Sequence, residues 1–125
     1  MDCSCSQIAE NLFDYKSLKN STGLSDDFLK DTMLRDFLVN SRRQCRVLEK
    51  NINEKNTRAI EKSAHKLKGY LATLHMTSTA EMLGDITENA DDINAVNKMF
   101  DEVSIQLNTI RKYVSFMLKK YEENS

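Results

Sequence analysis

The sequence predicts an all-α protein, an antiparallel four-helix bundle with an additional short N-terminal helix, and three observations carry that expectation. Proline is absent and only three glycines occur in 125 residues, so little in the chain interrupts a helix. Apolar residues recur at three- and four-residue steps over several long stretches, the period of a helix with one buried face. The connections between these stretches are short and polar, and no stretch carries a strand signal.

Residues 1–13 show no firm period, although Ile8, Leu12 and Phe13 offer apolar contacts to a bundle. Asp14 to Asn20 reads as a short helix, ended at Ser21-Thr22-Gly23 where the glycine supplies a stop. Ser25 is placed to cap the next helix, with Asp26 and Asp27 in a first turn whose dipole favours acid. Leu34, Phe37, Leu38, Ser41, Cys45, Leu48 and Ile52 then form one stripe, which predicts a long helix over 26–53.

The polar run Asn51 to Asn56 ends that stripe, and Asn56 can cap the next helix. Ile60, Ala64, Leu67, Leu71 and Leu74 predict that helix over 57–76. Thr77-Ser78-Thr79 reads as a turn with a capping hydroxyl, leading into a short helix with Ala80, Leu83 and Ile86. After a second polar break at Asn89 to Asp92, residues from Ile93 through Val103 and Ile110 to Tyr121 share one last helical face. The expected organisation is one bundle over 14–121, a frayed segment over 1–13 and a polar tail over 122–125. The Met1 start and the polar Glu122 to Ser125 end favour a free-standing protein, and a monomer is expected.

Composition excludes several classes of function. The 18 basic and 19 acidic residues are scattered and leave a formal charge of −1, so there is no basic stripe for a nucleic acid. No stretch approaches a membrane span, and the N-terminus lacks an apolar signal core. Three cysteines leave an odd count without a disulfide framework, which points to a reduced, cytoplasmic setting. Cys3 and Cys5 have no partners at metal-ligand spacing, and Cys45 falls on the apolar stripe and is expected in the core. Neither a Walker-type phosphate loop nor a catalytic triad is present. No metal, cofactor or intrinsic ATP-dependent kinase activity is therefore expected.

One residue of the helix 57–76 does not belong to its core face. At 100° per residue His65 lies about 140° from the centre of the stripe, towards solvent. Lys68 and Gly69 each follow one turn on, and Ala72 continues the strip. A mid-helix glycine costs about 1 kcal/mol relative to alanine. Because Gly69 points away from the apolar face, its use suggests room kept for a partner. A neutral imidazole is a nucleophile near neutral pH. A nearby lysine can offset charge on phosphoryl oxygens, and phosphoryl transfer asks little of a protein beyond such positioning.

The run Ala64-His65-Lys66-Leu67-Lys68-Gly69 resembles the A-H-x-L-K-G signature of histidine phosphotransfer (HPt) domains. The likeness extends to the preceding helix, the Asn56 start and the downstream Leu74 and Leu83, and covers residues 14–90 in organisation. It implies an HPt-type bundle in a two-component phosphorelay, in which His65 takes a phosphoryl group from a receiver-domain aspartate and passes it to another receiver. Those receivers would belong to response regulators or hybrid histidine kinases, and any magnesium to the receiver's acidic pocket. Lys68 would stabilise the phosphorylated state, and Gly69 would admit the receiver. The sequence departs from the family at His75, where a second glycine is usual, which puts the helix end in question. Two alternatives stay open, an adaptor of the same fold that is not phosphorylated, and the phosphotransfer module of a larger chemotaxis-type or hybrid kinase.

Overall fold

The computed structural model describes residues 3–124, with side chains from residue 8 onward. Helix α1 spans Cys3–Leu12 and α2 spans Tyr15–Thr22. Asp26–Phe28 (α3) runs through a π-helical turn, Leu29–Leu34, into α4, Arg35–Asn53. Then come α5 over Thr57–Thr73, α6 over Thr77–Glu88 and α7 over Ile93–Glu123. No strand occurs among the described residues.

Most helix starts are made by the residues that the sequence marks out. Asp14 accepts from the Ser17 amide at 2.9 Å and from its hydroxyl at 2.7 Å. Ser25 accepts from the Phe28 amide at 3.2 Å, and Asn56 from the Ala59 amide at 3.1 Å. Each bond satisfies an amide that the first helical turn would leave unpaired. Gly23, at φ 67°, stops α2 with its N–H on the Lys19 carbonyl.

Four expectations need correction. The segment expected to fray holds helix α1 over Cys3–Leu12 among its described residues, with Ala9 and, just beyond the helix, Phe13 buried in the core. The Cys3 and Cys5 side chains lie outside the described residues. The helix over 26–53 is one run, but it widens at Leu29–Leu34. Leu29 and Leu34 are both fully buried; five residues apart they would sit about 140° apart on a regular α-helix, and the π turn brings both inward. Thr77-Ser78-Thr79 does not cap α6, which starts after Met76 without a side-chain cap. Thr79 is buried instead, donating to Gln106 Oε1 of α7 at 2.6 Å.

The fourth correction concerns the end of α5, which stops at Thr73 rather than residue 76. The Met76 amide reaches back to the Leu71 carbonyl and the His75 amide to the Ala72 carbonyl, both at 3.0 Å. This is the Schellman arrangement that usually ends in a left-handed glycine. Here His75 occupies that position at φ 59°. The turn therefore forms without the usual glycine, held in part by a 2.9 Å contact from His75 Nε2 to Ser21 Oγ of α2.

Helices α4 to α7 close a ring in which each packs on the next and α7 packs on α4. Short turns make successive helices antiparallel, so α5 stands diagonally across the core from α7. At 31 residues α7 is the longest element, roughly 46 Å. Its C-terminal end meets the N-terminal region through Tyr121, which donates to Asp27, and through an Arg35–Glu122 ion pair at 2.6 Å. On α5, Ile60, Leu67 and Leu71 are fully buried. At about 1.5–3 kcal/mol each, they anchor the helix far more firmly than one mid-helix glycine loosens it.

Candidate functional site

Helix α5 buries Ala64 and Leu67 completely and leaves His65, Lys68 and Gly69 exposed. The imidazole thus stands on a rigid support with its neighbours in sequence locked into the core. Among the described residues His65 makes no hydrogen bond or ion pair. On the opposite flank of α5 the Tyr70 hydroxyl donates to Asp36 Oδ2 of α4 at 2.7 Å. Burial, and then Asp36, push the Tyr70 phenol above its ordinary pKa. Asn51 of α4 donates to the Ala59 carbonyl at 3.2 Å and to Ser63 Oγ at 3.1 Å. These contacts fix the rotation of α5 and so the direction of His65.

Lys68 leans towards α6. Its Nζ lies 3.2 Å, and its Cε 3.4 Å, from where a Cβ on Gly84 would stand. The missing side chain of Gly84 leaves the shelf on which the ammonium rests. Lys68 has no ion pair among the described residues, so its charge remains available to an anion at the surface. Sequence reasoning passed over Gly84, although a glycine inside the α6 stretch was a visible signal, since such a residue costs the helix stability. A Cβ added at Gly69 would meet nothing within 4 Å. Gly69 therefore borders open space rather than a packed neighbour.

Helix α4 carries three arginines, Arg42, Arg43 and Arg46, and the fold separates them. Arg43 lies with Gln44, Val47, Ser63 and Lys66 around a hollow of about 110 Å³ between α4 and α5. Arg42 and Arg46 face the other way, into a groove between α4 and α7. Only Arg43 shares a surface with α5. Cys45, expected in the core, is half-buried at the edge of the α4–α7 groove. His75 sits beyond the end of α5 on the Ser21 contact, apart from the Lys68 and Gly69 strip. No cluster of three or more His, Cys, Asp or Glu side chains suited to a metal occurs among the described residues.

The all-helical bundle thus holds the His65 imidazole in solvent, with Lys68 and the open space at Gly69 beside it. The family model of the Hpt domain matches residues 32–113, from the π turn through most of α7. The chain belongs to the Hpt domain family, whose modules serve in phosphorelays by histidine phosphotransfer and interact with receiver domains. Helices α1 and α2 lie outside the matched span. No curated protein and no solved structure matches the chain. Among the described residues no helix is long and apolar enough to cross a membrane.

Proposed function

We propose that the protein is a phosphorelay intermediate that accepts a phosphoryl group on His65 from a receiver aspartate and donates it to a second receiver. The observation that carries this reading is the strip His65, Lys68 and Gly69, exposed together on a helix whose other face is locked in the core. One nitrogen of the neutral ring attacks phosphorus in line. The bond from phosphorus to the aspartyl oxygen breaks, that carboxylate leaves, and the proton on the other ring nitrogen can pass to solvent. In the return step the other ring nitrogen takes its proton back, the carboxylate of the next receiver attacks phosphorus, the phosphorus–nitrogen bond breaks and the neutral imidazole leaves.

Lys68, resting on Gly84, supplies a positive charge to the phosphoryl oxygens without bonding to phosphorus. Gly69 leaves a gap through which the receiver's acyl phosphate reaches the ring. The chain contributes no phosphate loop and draws on the donor receiver for its phosphoryl group. Arg43 and Val47, level with Lys66 across the α4–α5 groove, extend the surface available to a docked receiver.

The test is incubation with a panel of phosphorylated receivers, followed by acid-lability mapping of the label. Wild-type protein should carry an acid-labile phosphoryl group on His65, and His65→Gln should remain helical and unlabelled. Stoichiometric labelling of His65→Gln would refute the assignment, and tight receiver binding without any label would favour the adaptor.

A further inference from the structure

The face of the bundle between α4 and α7 holds a charge that the phosphotransfer site does not use. Arg111 of α7 is only 9 % exposed. Its Nε donates to the buried Ser41 Oγ of α4 at 3.0 Å, and an Nη donates to Asn108 Oδ1 at 3.0 Å. Both partners are neutral, and no carboxylate lies within 4.0 Å of the guanidinium among the described residues. Burial disfavours its charge, the neighbouring Cys45 thiol offsets part of that, and the nearby Arg42 cation disfavours the charge again. A buried charge is costly unless an opposite charge meets it.

The surroundings deepen the deficit. Arg111 opens onto a hollow of about 360 Å³ whose α4 wall carries Arg42 and Arg46. An adjoining hollow of about 340 Å³ shares Arg42, Asn108 and Arg111 and adds Lys112. Four cations thus face one lining carboxylate, Glu49, and none of the four is in an ion pair among the described residues. Asn108 and the hydroxyls of Ser104 and Ser115 supply neutral hydrogen-bonding groups at the same place. Guanidinium forks that converge on a concave surface suit phosphate oxygens, which they bind in pairs.

We propose that the α4–α7 groove is a binding site for a compact phosphate anion, such as inorganic phosphate, pyrophosphate or a small phosphate ester. The anion bridges Arg42 and Arg46 of α4 to Arg111 of α7 and supplies the missing counter-charge. No residue of α5 lines the groove, and α5 is diagonal to α7, so a receiver at His65 and an anion here do not compete for space. The bound anion also covers the Cys45 thiol at the rim.

Titration of the whole protein with sodium pyrophosphate at constant ionic strength, followed by backbone amide NMR and by thermal midpoint, tests the site. Expected are saturable shifts confined to the α4–α7 face around Arg46, Ser104, Asn108 and Arg111, a midpoint that rises with anion concentration, and slower alkylation of Cys45. The double variant Arg42→Ala/Arg46→Ala replaces exposed side chains and should fold, yet bind at least about tenfold more weakly. His65→Gln should bind as wild type. Shifts that grow without saturation over all surface lysines, or wild-type binding by the double variant, would overturn the proposal. So would loss of binding in His65→Gln, or binding of a phosphorylated peptide without binding of pyrophosphate.

Discussion

Consider Gly69→Ala, and beside it Gly69→Gln. The backbone at Gly69 is ordinary helix without a positive φ, and a Cβ there meets no atom within 4 Å. Alanine therefore adds no clash and removes the conformational freedom that glycine lends to the unfolded chain. The gain is up to about 1 kcal/mol, or about 3–6 °C in the thermal midpoint of a domain this size. Glutamine is a somewhat poorer helix former than alanine and keeps a gain of about 0.5 kcal/mol. In either variant the loss to the fold is nil.

Transfer should move in the opposite direction. The new side chain projects from the turn after His65, where the receiver's acyl phosphate must come within bonding distance of the ring. Displacement of the reacting groups by about 1 Å costs on the order of a hundredfold in rate. Gly69→Gln should therefore lose receiver-dependent labelling by that order, and Gly69→Ala by less. A small donor such as phosphoramidate, which needs no docked receiver, should still label His65. Calorimetry, receiver transfer and small-donor labelling on one preparation decide the matter. An unfolded Gly69→Gln would mean that the glycine serves packing; a stable variant with wild-type transfer would put the docking surface elsewhere.

Lys68→Ala should leave stability within about 0.5 kcal/mol and lower the transfer rate or the phosphohistidine lifetime about tenfold; Gly84→Ala should have a smaller effect of the same sign, because its Cβ displaces the ammonium at 3.2 Å without removing it. At His75, alanine keeps the left-handed strain and loses the Ser21 contact, costing about 1 kcal/mol in chemical denaturation, whereas glycine relieves the strain and should stay nearer wild type. Both His75 variants should accept the phosphoryl group at the wild-type rate. In acid, Asp14 is held below the usual carboxylate range by the Ser17 amide and hydroxyl, and Asp26 by the Tyr15 hydroxyl and then Lys19. Both contribute stability that is present above their ordinary value of 3.8 and lost as pH falls through their lowered values. Asp14→Asn/Asp26→Asn should therefore flatten the acid limb of a pH–stability curve, and an unchanged limb would count against these contacts.

Much of the fold was legible because helices with one buried face leave a period in the sequence. The caps at Asn56 and Ser25 and the stop at Gly23 were visible for the same local reason, since each depends on two or three neighbouring residues. What escaped depends on distant ones. The π turn at Leu29–Leu34 exists because two leucines five residues apart both reach the core, and periodicity counts only steps of three and four. Thr79 looked like a cap because hydroxyls cap helices, but its partner, Gln106, arrives from α7. At His75 the resemblance, which sets a glycine there, put the helix end in question, but the contact that holds the turn comes from Ser21 of α2.

The functional strip divides along the same line. Exposure of His65, Lys68 and Gly69 follows from angles on a single helix, so it could be worked out from residue numbers. The destination of the Lys68 side chain could not, because it depends on which residue of α6 lies opposite, and that residue had to lack a side chain. Arg111 makes the contrast sharper. It follows Ile110 and precedes Val114 by three residues, so the apolar count on α7 passes it by as an ordinary break in the stripe. Only the packing of α7 on α4 sets its guanidinium against Ser41 and leaves the rest of it facing Arg42 and Arg46. A buried cation held by neutral partners carries a cost that an opposite charge would remove. The groove thus poses a question of charge that periodicity has no means to raise, and the pyrophosphate titration answers it independently of whether His65 is ever phosphorylated.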